Sequence, residues 1–203
     1  MKKCELRETN ATANYTIDPA TDEDQVIRTR GNDEAKQLGV AKLMQVTRGD
    51  VVDMQAFAYH FGGYSDNGAI NNTALLATLA SSILGAVPPG LETTGIAPTV
   101  NTNAATIFVG SNGSTSAPRA YLNFILFDSD FNYLDAGFYQ VGSTANTDHE
   151  LNLSKTIEKS GYIYVYVSNE SDNSFDVYFD DLRVPIPRAR CCKKIITIPL
   201  VST

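Results

Sequence analysis

No cysteine lies between Cys4 near one end of the chain and the adjacent pair Cys191 and Cys192 near the other. Three thiols so placed make no disulfide framework, lack the spacing of a zinc site and contain no C-x-x-C pair, so they read as incidental. No apolar run reaches the length that crosses a bilayer, so membrane insertion is not expected. The opening "MKKCELRETN" has no hydrophobic stretch behind its lysines, and no signal peptide is expected within this chain. Phosphate-cradling loops are missing too: there is no G-x-x-x-x-G-K-[ST], and "VGSNGSTS" lacks the lysine. His60 and His149 are the only histidines, and no serine sits in a nucleophile elbow, so an enzyme is not expected.

Positive charge is short as well. The chain has 16 basic and 23 acidic residues, a net of −7. Four of the basic ones, Arg188, Arg190, Lys193 and Lys194, fall in an acid-free tail, which leaves 12 against 23, or −11, for the rest. Such a body repels a phosphate backbone, and no basic patch with interleaved aromatics offsets it, so nucleic acid is not an expected partner.

What remains is a chain of 203 residues, 43% hydrophobic and 19% charged, which suits one globular domain with extensions. Asn, Thr, Ser and Gly are abundant, tryptophan is absent and lysine is sparse; that mixture favours β-structure with long polar loops and is common in secreted or surface proteins. Residues 1–33 read as a polar N-terminal arm or loosely attached edge strand, 34–186 as a β-sandwich domain, and 187–203 as a basic tail.

Within the central part, "TRGD" lies between Ala41–Val46 and Val51–Phe61, where Gly49 and Asp50 predict a hairpin or a strand corner. Leu75, Leu76, Leu79, Ile83 and Leu84 recur at helical spacing in "NNTALLATLASSILG", which predicts one short amphipathic helix capped by Asn72 or Thr73 and stopped by Gly85. A long Pro-, Gly- and Ser-rich connection follows. "AYLNFILF" and "YLDAGFYQV" flank "DSDFN" as a hairpin, and Leu151–Leu153, Tyr162–Val167 and Phe175–Val184 add strands. Many strands, turn signals and a single helix predict a mainly β, antiparallel β-sandwich.

Two groups of residues are candidate sites. In "GYIYVYVSNES", strand alternation sends Tyr162, Tyr164 and Tyr166 to one face and Ile163, Val165 and Val167 to the other. An exposed tyrosine row would be a carbohydrate platform, since rings stack on sugars while hydroxyls hydrogen-bond; the same alternation also fits a row covered by a loop or the helix. Asp180 and Asp181 in "VYFDDLRV" are acids inside an apolar strand, where a structural calcium or a salt bridge would answer their charge. Strict alternation points them to opposite faces, so a shared site needs a bulge. "DSDFNYLD" fails as an EF-hand, because Tyr133 and Tyr139 stand where Gly and Glu are required, and its acids read as turn residues.

"AYLNFILFDSDFNYLDAGFYQVG", "GYIYVYVSNES" and "FDVYFDDLRV", in that order, resemble the β-sandwich module upstream of the core in RHS-repeat-associated proteins of the Bacteroidetes type. "GNDEAKQLGVAKLMQVTRGDVVDMQAFAY" resembles its opening strands, and "VYFDDLRV" is similar more broadly to the last strand of galactose-binding-like jelly rolls. The family continues into a segment like E-E-x-x-Y-Y-P-F-G where this chain reads "CKKIITIPLVST"; a one-nucleotide frame slip near Arg190 would produce that departure. The resemblance implies a non-catalytic structural or interaction module of a cell-surface or secreted polypeptide, without a cofactor. Its partners would be a glycan, a protein, or the remainder of an RHS polypeptide.

Overall fold

The computed structural model describes residues 15–17, 25–33, 35–65, 73–87 and 116–185. The three cysteines, the basic tail and most of the long connection after the helix lie outside them. Nine strands and one helix occur among the described residues: β1 (Tyr15–Ile17), β2 (Gln25–Arg30), β3 (Leu38–Val46), β4 (Val51–Tyr59), α1 (Thr73–Ala86), β5 (Ala120–Asp128), β6 (Tyr133–Gln140), β7 (His149–Thr156), β8 (Gly161–Asn169) and β9 (Asp176–Arg183). All pairings are antiparallel. One sheet, sheet A, runs β1-β2-β9-β4-β7; the other, sheet B, runs β3-β8-β5-β6. Apart from the β5–β6 pair, which stays in sheet B, strands β2 to β9 alternate between the two layers as in a jelly roll, and the described residues form a β-sandwich with one helix.

Period-two alternation builds the core between the sheets. Val52, Met54, Ala56 and Ala58 of β4 and Val177 and Phe179 of β9 face Leu122, Phe124 and Leu126 of β5 and Ile163, Val165 and Val167 of β8, all buried. Each Val, Leu, Ile, Met or Phe side chain among them contributes about 1.5–3 kcal/mol when fully buried. The opposite face of sheet B is covered as well. Leu79, Ala80 and Ile83 of α1 pack on Ala41, Ile125, Phe127, Tyr164 and Tyr166. This second layer explains why β5 is buried at every position and reads as an almost unbroken apolar run.

Several boundaries differ from the sequence reading. β3 and β4 do not pair: β3 pairs β8 in sheet B, and β4 pairs β7 and β9 in sheet A. "TRGD" is therefore the corner at which the chain changes sheets, with Gly49 at φ 94° and the Thr47 amide donating to Asp50 Oδ2 at 2.8 Å. β2 lies within residues 1–33 yet pairs β9, so sheet A begins ahead of residue 34. Leu84 points outward at 39% exposure, and the helix docks through Leu76, Leu79, Ala80 and Ile83.

Candidate functional site

The tyrosine row of β8 faces α1. Tyr164 and Tyr166 are 0% and 1% exposed, and Tyr162 is half-buried against Phe131, with ring centroids 4.6 Å apart. The Tyr164 hydroxyl lies 2.5 Å from Ser82 Oγ on α1. Burial pushes the Tyr164 phenol up to about 12 although the Ser82 hydrogen bond opposes it, and burial also raises Tyr166 well above its ordinary value. Rings so enclosed present no face to a sugar. Of the two arrangements compatible with the alternation, the structure has the covered one, because the outer face of sheet B needs an apolar underside for α1.

Beside this row, Asn123 Nδ2 donates to Ser168 Oγ at 2.9 Å and Ser168 donates to Glu170 Oε1 at 3.0 Å. Glu170 Oε2 and the Tyr166 hydroxyl are buried without a hydrogen-bond partner. Desolvation pushes the Glu170 carboxyl up to about 8, against the Ser168 hydrogen bond and the nearby Arg119 charge.

Asp180 and Asp181 do share a face, because β9 carries the required bulge. Its pairing with β4 shifts by one residue between Phe57↔Asp180 and Gln55↔Arg183, and Asp181 takes φ 51°. The extra residue returns Leu182 to the core and leaves both acids outside. Asp180 Oδ1 accepts the Asp181 amide at 2.6 Å, and Asp181 is ion-paired with Arg183. No group of three or more metal-ligating side chains occurs among the described residues.

The two histidines meet at the end of sheet A, stacked with centroids 5.4 Å apart. His60 is buried with Nδ1 3.2 Å from the Gly62 carbonyl and Nε2 3.0 Å from that of Gly142, while His149 Nε2 lies 2.8 Å from the Thr144 carbonyl. These contacts are with backbone carbonyls, the pattern of imidazoles that hold loops together.

The solvent side of sheet A has a different character. Across its middle, Arg28 of β2 is in register with Tyr178 of β9, and Tyr178 with Tyr59 of β4. The exposed ring of Phe61, just past β4, meets Tyr59 at 4.9 Å and Tyr178 at 5.6 Å, both edge to face. One register step along, Phe57 lies between Asp180 and Glu150. There Gln55 Nε2 and Asn152 Nδ2 donate to Glu150 Oε1 at 2.7 and 3.0 Å, and these two bonds, Asn152 first, hold the carboxyl below its usual range. The result is an aromatic patch with a guanidinium on one side and a carboxylate and two amides on the other. Rings that are partly wet, with fixed polar groups at their margin, match the apolar faces and equatorial hydroxyls of a sugar.

This face escaped the sequence reading, although "VVDMQAFAY" carries its signal. Val52, Met54, Ala56 and Ala58 take one parity, and Asp53, Gln55, Phe57 and Tyr59 the other. The second set is amphipathic in a way that suits water and a ligand together.

No family model matches the chain, and no curated protein matches it. Among solved structures, it is similar to the N-terminal endo-1,4-beta-D-xylanase of Clostridium thermocellum, in its CBM22-1 and GH10 modules complexed with xylohexaose: 9% identity, 79% of this chain, 21% of that one and a TM-score of 0.37. It is also similar to a CBM4 carbohydrate-binding module, with 10% identity, 86% of this chain, 79% of that one and a TM-score of 0.39. The chain thus spans about a fifth of the xylanase polypeptide. Neither of these two structures is an RHS-type protein, and at such scores neither says what this chain binds.

Proposed function

We propose that this chain is a non-catalytic carbohydrate-binding module that takes its glycan on the outer face of sheet A. The observation that carries the reading is Phe61, 63% exposed and packed edge to face on Tyr59 and Tyr178. An apolar ring held in water by two others is a surface that a ligand would cover. The platform belongs on this face and not on the Tyr162, Tyr164 and Tyr166 row. The extracellular setting that the RHS resemblance implies belongs to the same proposal.

Affinity electrophoresis and titration calorimetry against a panel of soluble polysaccharides and their oligosaccharides test it. Tyr59→Ala and Tyr178→Ala are each expected to weaken binding roughly tenfold or more, equivalent to about 1.4 kcal/mol. Tyr139→Ala, at an exposed ring on β6 of the other sheet, should leave it unchanged. Binding that survives both sheet A substitutions, or an empty panel with a folded protein, sinks the proposal.

A further inference from the structure

Three arginines lie on or beside the outer face of sheet A, and they are not equivalent. Arg30 makes a two-pronged pair with Asp176, Nε to Oδ1 at 2.7 Å and Nη2 to Oδ2 at 2.9 Å. Arg183 is ion-paired with Asp181. Arg28 projects between them in register with Tyr178, and its Nε is buried with no acceptor. Asp176, whose carboxylate feels the Arg28 charge, is already engaged through both oxygens by Arg30. Arg28 is thus a permanent cation whose Nε–H no carboxylate of the chain accepts.

A buried N–H of a charged group left without an acceptor is destabilising, more so than a neutral one. Arg28 as a whole is half-buried, and its guanidinium, beside Tyr178, is planar and weakly hydrated, so its outer edge can receive a planar oxyanion. We infer that the glycan taken by this face is acidic, and that Arg28 receives its oxyanion, a carboxylate or an ester sulfate, while Tyr178, Tyr59 and Phe61 hold the sugar ring. The inference rests on the carbohydrate reading and names the ligand class. Glu150, on the far side of the rings, repels the same charge and so orients the ligand, with its acidic group toward β2 and its hydroxyls toward Gln55 and Asn152.

Paired ligands test this. Oligogalacturonate is compared with its methyl ester, and a sulfated galactan with its desulfated form, by calorimetry on the full chain. The acidic member of at least one pair should bind roughly tenfold tighter or better, with an affinity that falls as salt rises; which pair responds distinguishes carboxylate from sulfate. Arg28→Gln should abolish the preference, so that the acidic and neutral members of the pair bind alike, and Arg28→Lys should restore part of it. Thermal unfolding of both variants checks that the sheet is kept. Equal affinity within both pairs, or a preference that survives Arg28→Gln, overturns the inference while the carbohydrate reading stands. No binding to any member, nor to the neutral panel, removes both.

Discussion

Glu170 follows the last residue of β8, with its amide on the Arg119 carbonyl at 2.6 Å and its carboxyl sealed from water. A carboxyl raised to about 8 keeps its proton at neutral pH, whereas the unfolded chain releases it near 4.5. The native state therefore binds one more proton than the unfolded state between those values. Stability from this group is full below pH 4.5 and is lost as pH rises toward 8, by several kcal/mol in all. Glu170→Gln should flatten that slope in chemical denaturation curves taken across the window, and should raise stability at pH 8. Asp128 behaves in the opposite sense. Burial opposes its charge, but Lys159 Nζ at 3.0 Å and the Asn132 and Asp130 amides outweigh this and hold it at about 2. Its contribution is present above the usual carboxyl range and disappears as pH falls through 2; Asp128→Ala should cost about 2 kcal/mol at pH 7.

Among the elements, α1 gives a clean internal contrast. Ile83 is fully enclosed and Leu84, its neighbour, is not, so Ile83→Ala should cost about 2–4 kcal/mol and Leu84→Ala less than about 0.5. Guanidinium chloride denaturation of the two variants checks it. The helix and the strand character of β4, β5, β8 and β9 were legible because each rests on periodicity within a dozen residues. The face that α1 covers was not, since Tyr164 meets Ser82 across 82 positions and no local pattern encodes that contact. The same holds for the acids of β9. "FDD" alternates wrongly for a regular strand, which announces either a broken strand or a bulge, and only the pairing with β4 decides. Asp181→Val should test the bulge. A β-branched residue at φ 51° is strained, and a loss of about 1–3 kcal/mol is expected where Asp181→Gly is near neutral.

For the molecule as a whole, the sandwich architecture followed from composition and strand count, but the limits of the domain did not. β2 looked like part of a polar arm because only Ile27 and Thr29 among its alternating residues turn inward, both buried, while Val26, Arg28 and Arg30 are half-buried. Its anchoring is long-range: Thr29 Oγ1 donates to the Val177 carbonyl at 2.9 Å, and Arg30 clasps Asp176. A fragment beginning at residue 34 lacks both and uncovers one edge of β9. It should melt well below the full chain and associate in solution, as differential scanning calorimetry and light scattering would show.

In sheet A, β9 is inserted between β2 and β4, with Thr29 and Val177 separated by 148 positions. A ribosome adding roughly 5–20 residues per second needs on the order of ten seconds to deliver that last strand. Until then the edges that β2 and β4 will offer to β9 are unpaired, and an open strand edge is a template for association with other chains.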